Sequence, residues 1–155
     1  MKQRPADNEV GHARDAGIVD AMRRVSRPAS DAAFDAELLG FINVAMQRGD
    51  VRIERVVFGS HSIAIDFALC AVTCHTQMEW IDMSGKRRLI AVDQAEYTAK
   101  QGALVRLLGH RGKAIRLLPE GLQIDIEGAG TLHFSRIDRG VSFELSTAQF
   151  GPALY

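Results

Sequence analysis

Apolar positions along the chain switch between two periods, and the switches mark the elements. From Asp31 to Arg48, Phe34, Leu38, Phe41, Ile42, Ala45 and Met46 recur at three- and four-residue steps, which predicts an amphipathic helix. Ser30 or Asp31 caps its start, Asp31, Asp35 and Glu37 sit near its positive end, and Gly49 stops it. Beyond Gly49 the period falls to two. Val51 to Phe58 and Ser62 to Leu69 read as strands joined around Gly59-Ser60-His61. Ala71 to Trp80 alternates throughout, with Val72, Cys74, Thr76, Met78 and Trp80 on one face and Thr73, His75, Gln77 and Glu79 on the other, as a single half-buried strand would. Asp82 to Gly85 supplies a turn and Arg87 to Val92 a further strand.

Asp93 with Glu96 three residues on is a capping-box pattern, and Tyr97, Leu104, Val105 and Leu108 give a second helix its apolar face, weakened at Gly102 and ended by Gly109. The remainder reads as a meander, 114–118, 121–127, 131–137 and 141–146, punctuated by Pro119-Glu120-Gly121, Gly128-Ala129-Gly130 and Asp138-Arg139-Gly140. Gly151, Pro152 and the last residues read as a short tail. Residues 1–14 show no apolar periodicity and read as a flexible N-terminal tail, and Asp15 to Arg24 carries a short helical pattern through Ile18, Val19 and Met22 that Arg27, Pro28 and Ser30 interrupt. The expected fold is therefore α+β, a mainly antiparallel sheet in two meander halves with two packed helices, forming one domain over 15–150.

The two halves echo each other. Ile63-Ala64-Ile65-Asp66-Phe67 and Leu122-Gln123-Ile124-Asp125-Ile126 match in pattern 59 residues apart, and each follows a helix, a break rich in glycine and arginine, and a first strand. That spacing suggests a repeat.

A chain of 155 residues, 46% hydrophobic and 25% charged, has enough apolar surface to build a core without a disulfide or metal. Nineteen Lys and Arg balance nineteen Asp and Glu, so the formal net charge is zero and no direct nucleic-acid binding is expected, although a local basic patch is compatible with that balance. No stretch approaches the roughly 20 apolar residues of a spanning helix, and the start has no apolar signal region, so a cytoplasmic protein that does not engage membranes is expected. Cys70 and Cys74, placed on one strand, lie too far apart for a mutual disulfide, which fits two buried thiols in a reducing compartment.

Candidate chemistry is sparse. Cys70, Cys74 and His75 lack the paired spacing of a structural zinc site, so they read as core thiols and no metal or cofactor is expected. His12, His61, His75, His110 and His133 include one pair, His75 and His133, that would face outward together if their strands were neighbours, as a histidine-dependent nuclease would need. Asp66 and Asp125 lie in apolar strands, on faces that read as solvated. No G-x-S-x-G elbow or phosphate-binding G-x₄-G-K-[ST] loop occurs. The strongest run of one sign, Lys86-Arg87-Arg88, follows the turn at Asp82. Its Asp82-x-Ser84 fragment superficially resembles the cyclic-dinucleotide-binding PilZ family, whose motif continues with two residues and a glycine. Here Gly85 follows Ser84 directly, and the arginine pair that precedes the barrel in that family has no convincing counterpart.

Taken whole, the order Leu38-Leu39-Gly40, Ile63 to Phe67, Leu107-Leu108-Gly109, Gly121 to Ile126 and Val141-Ser142-Phe143-Glu144-Leu145 resembles an uncharacterised bacterial family of two β-rich halves, over residues 35–147. Many genes of that type lie near polymorphic toxins. The resemblance implies an immunity protein, not an enzyme, that binds and occludes a cognate toxin of contact-dependent growth inhibition or a related secreted system, such as a nuclease. Shape and charge complementarity would suffice for that role. The expected recognition surface is the hairpin carrying Trp80, Asp82, Lys86, Arg87 and Arg88, since tryptophan and arginine are over-represented among interface hot spots. The rivals are a small histidine-dependent nuclease and a small-ligand sensor built on a β-rich domain.

Overall fold

The computed structural model describes residues 32–49, 51–92, 99–137 and 139–155. The N-terminal tail, the short helical pattern from Asp15, the Ser30 or Asp31 cap and the Asp93 capping box lie outside those residues.

Helix α1 spans Ala32–Gln47 and buries Leu38, Ile42 and Met46, one residue per four-residue step, so a single stripe faces the core. The strands are β1 (Ile53–Phe58), β2 (Ile63–Phe67), β3 (Cys70–Cys74), β4 (Gln77–Ile81), β5 (Arg87–Ala91), β6 (Gly112–Leu118), β7 (Gly121–Ile126), β8 (Gly130–Ser135), β9 (Phe143–Thr147) and β10 (Gly151–Leu154). Between β5 and β6 come a short helix α2 (Ala99–Ala103) and a 3₁₀ turn (Leu104–Leu107). Two antiparallel five-stranded sheets result, ordered β1-β2-β3-β9-β10 and β5-β4-β8-β7-β6, and the class is α+β.

The second sheet, taken from its other edge, runs β6-β7-β8-β4-β5, which repeats β1-β2-β3-β9-β10 with the halves of the chain exchanged. Each half contributes a helical segment, three strands to one sheet and two to the other. The two echo segments are β2 and β7, the second strand of each half. A single antiparallel bridge between Arg52 and Arg111 joins the first strands. The bonds around it are paired: Ile53 N–H donates to the His110 carbonyl at 2.9 Å and Gly112 N–H to that of Val51 at 2.9 Å.

Three expectations about the strands need correction. The strand expected over 71–80 is two strands, because the chain bends at His75 and Thr76 and changes both sheet and partner, β3 pairing with β9 and β4 with β8. His75 N–H donates to the Ser142 carbonyl at the corner, and alternation survives the bend, so Val72, Cys74, Met78 and Trp80 are all buried. The final meander is likewise split: β6-β7-β8 are sequential neighbours, and β9 leaves for the other sheet. The last residues form β10 rather than a tail, with Tyr155 N–H bonded to the Phe143 carbonyl at 3.0 Å. Pro152 fits there because the register turns its nitrogen away from β9, where no donor is needed.

In the second helical segment, the described part buries Leu104 and Leu107 and exposes Val105 and Leu108. Leu104 is buried as expected, but Leu107 takes the inner place expected of Val105 and Leu108, because the last turn is 3₁₀ and three residues per turn align positions three apart. One core joins the inner faces of both sheets to α1, with Phe134 and Phe143 in contact at 6.5 Å between ring centres.

Candidate functional site

The β4–β5 hairpin is locked at its tip by one carboxylate. Asp82 Oδ1 accepts from Ser84 Oγ at 2.5 Å, Ser84 N–H at 2.9 Å and Lys86 N–H at 3.1 Å, while its Oδ2 pairs with Arg88 at 2.9 Å. The Ser84 hydroxyl, helped by Arg88 and the two backbone donors, outweighs desolvation and lowers the Asp82 pKa to about 2. Arg88 also lies over the Trp80 ring, 4.8 Å from its centre. Trp80 itself is buried, and its Nε1–H donates to the Ala129 carbonyl at 2.8 Å. Of the five residues expected to meet a partner, Trp80 therefore acts as the platform that carries Arg88. Asp82, Lys86, Arg87 and Arg88 reach the surface.

Beside the hairpin, a groove of about 380 Å³ separates β5 from α2 and the 3₁₀ turn. Lys86, Arg87, Arg88, Lys100 and Arg106 line it together with Leu89, and no described carboxylate does. Arg87 pairs with Glu79 on the outer face, whereas the side chains of Lys86, Lys100 and Arg106 have no ion pair among the described residues. Five cations thus converge on one place in a chain of zero net charge. Arg106 also borders a second depression of about 290 Å³, with Trp80, Ser84 and His110. Lys100 and Arg106 were not singled out from the sequence, although Lys100, Ala103 and Arg106 recur every three residues, the spacing that a 3₁₀-like turn aligns.

The pseudo-symmetric counterpart of this groove, between β10 and α1, is filled. Phe150, which immediately precedes β10, packs edge-on against Phe34 and Phe41, with ring centres 6.0 and 5.5 Å away. Tyr155 extends the contact by donating its hydroxyl to Asp35 at 2.5 Å. The position that immediately precedes β5 is Lys86. Rings close α1 onto the start of β10, whereas cations line the space between α2 and the start of β5.

The other candidate groups are placed apart from this groove. Cys70 and Cys74 are free and buried on the inner face of β3, and burial raises their thiol pKa values to about 12 and about 11. No cluster of three or more histidine, cysteine or acidic side chains able to hold a metal occurs among the described residues. His133 lies opposite Glu79 and Gln123 in the second sheet, while His75 sits at the corner between sheets, so strand pairing does not juxtapose them. Asp66 pairs with Arg55 at 2.5 Å and Asp125 with Arg116, so each echo strand holds its aspartate against an arginine of the strand before it. No described helix is long and apolar enough to cross a membrane. No family model, curated protein or solved structure matches the chain.

Proposed function

We propose that the protein is a stoichiometric protein-binding module that docks a partner against the basic face formed by the β4–β5 hairpin and α2. The partner is a cognate toxin, as the resemblance to immunity proteins implies, and the mode of action is occlusion. The observation that carries this reading is the preorganised tip: Asp82 fixes Arg88 on the Trp80 ring, so the arginine loses little conformational freedom on binding. Exposed Met83 and Leu89 give the same face apolar contact area. An acidic surface on the partner would complement the five cations and speed association. The test is to change Arg87 and Arg88 together to alanine, and to measure partner affinity and the survival of toxin-expressing cells. The fold should be retained, since surface substitutions usually stay within about 0.5 kcal/mol, while hot-spot arginines cost about 2 kcal/mol or more in binding. Unchanged affinity and unchanged protection together would remove this face from consideration.

A further inference from the structure

We propose that the groove between β5 and α2 takes an acidic, extended polypeptide segment of the partner, which adds to the open edge of β5 as a further strand. This rests on the protein-binding reading above and specifies the chemistry of the occupant.

The register places the free groups. Asp82 N–H donates to the Lys86 carbonyl and Val92 N–H to that of Thr76, so alternation directs the backbone groups of Arg88 and Ile90 toward β4. Those of Arg87, Leu89 and Ala91 point the other way. β5 is the last strand of its sheet. Ala91 already has a partner, since Gln101 Nε2 donates to its carbonyl at 3.2 Å, but the outward groups of Arg87 and Leu89 have none among the described residues. The groove draws lining from both Arg88 and Leu89, whose side chains leave opposite faces of the strand, so it runs along the edge rather than over one face.

Among the described residues, the outer edges of β6 and β10 are interrupted. β6 has its outward Ile115 taken up by Asn43, whose amide donates to the Ile115 carbonyl at 2.9 Å and accepts from its N–H at 2.8 Å. β10 presents Pro152, which has no N–H, on its open side. The edge of β5 offers both donors and acceptors, with cations along it. A phosphate group would accept from the N–H groups but has nothing to donate to the carbonyls. A peptide strand supplies both, with acidic side chains for Lys86, Lys100 and Arg106 and an apolar one for exposed Leu89.

The experiment uses the full chain and a fluorescent peptide of about eight residues alternating glutamate and valine, long enough at ~3.3 Å per residue to span β5. Binding should raise hydrogen-exchange protection at the Arg87 and Leu89 amides. N-methylation of alternate peptide nitrogens, which keeps every charge, should weaken binding by roughly tenfold or more. Leu89→Pro should do the same without loss of thermal stability, as Pro152 is accommodated on the equivalent strand. If the N-methylated peptide binds as tightly, or an oligonucleotide binds more tightly than the acidic peptide, strand addition is overturned. If Arg87→Ala with Arg88→Ala weakens the partner while the peptide leaves the Leu89 amide unprotected, the docking face stands and the strand does not.

Discussion

Arg52 and Arg111 face each other across a single antiparallel bridge, 59 residues apart in the chain, at the point where the two halves of the fold meet. The bonds on either side of it exchange one half for the other: Ile53 to His110 is matched by Gly112 to Val51, and Ala68 to Arg52 by Glu127 to Arg111. Such pairing makes departures from symmetry informative. One lies between helix and last strand, where Phe34, Phe41 and Phe150 beside the sheet that ends in β10 stand against Lys86, Lys100 and Arg106 beside the sheet that ends in β5. A packed contact serves stability, and an array of like charges at the corresponding place opposes it, which is the asymmetry on which the proposed docking face rests.

That contrast predicts unequal costs at the two places. Phe150→Ala removes a partly buried ring and two edge-on contacts and should cost about 2 kcal/mol. Lys86→Ala should change stability by no more than about 0.5 kcal/mol, or raise it slightly by relieving repulsion. Urea unfolding of both variants decides it, and equal losses would count against the contrast.

Gly130 predicts a sharper loss. Its φ of +101° is a conformation that side chains rarely adopt, and a Cβ there would run into the backbone carbonyl of Ile81, a residue of the paired strand that cannot retreat. Gly130→Ala should therefore destabilise the protein by about 2–3 kcal/mol, with a lower thermal midpoint. An unchanged midpoint would mean that β4 and β8 separate more readily than their pairing implies.

Local pattern made the elements legible but not their partners. The period of α1 and the alternation around Val72, Cys74, Met78 and Trp80 were readable because burial imposes them residue by residue. The corner at His75 left no trace, since alternation continues through it and only the change of pairing from β9 to β8 reveals it. β10 was hidden by Gly151 and Pro152, whose turn-forming character outweighs a four-residue strand in any local reading. The basic run at Lys86 was visible as a run, but Lys100 and Arg106 join it only through the packing of α2 beside β5.

The two thiols should be inert in the native state. Burial holds Cys70 and Cys74 protonated, with pKa values near 12 and 11 against an ordinary 9.0, so a thiol reagent at pH 8 should label them only in denaturant. The sign for stability follows from the same shift. Below pH 9 both states are protonated and nothing is lost. Above it the unfolded chain ionises first, so stability should fall from about pH 9 through pH 12. Cys70→Ala with Cys74→Ala should flatten that alkaline decline, and rapid native labelling at pH 8 would contradict the buried placement.

The hairpin tip should titrate at unusually low pH. Asp82 holds its proton only below about 2, against an ordinary 3.8, because the ionised form accepts from Ser84, Lys86 and Arg88 at once. A depressed carboxyl stabilises the folded tip above the unfolded value and loses that contribution as pH falls through the folded one. The tip should therefore stay closed at pH 5 and open between about pH 4 and pH 2. The amide resonances of Ser84 and Lys86, whose N–H groups bond the carboxylate, should shift together with a midpoint near 2. Asp82→Asn should abolish that titration and free Arg88 from its ion pair, so partner affinity at neutral pH should drop even though every cation lining the groove is kept. A midpoint near 3.8 in the unmodified chain would show that the carboxylate is not the clamp, and an Asp82→Asn variant that binds its partner undiminished would show that the clamp does not prepare Arg88 for binding.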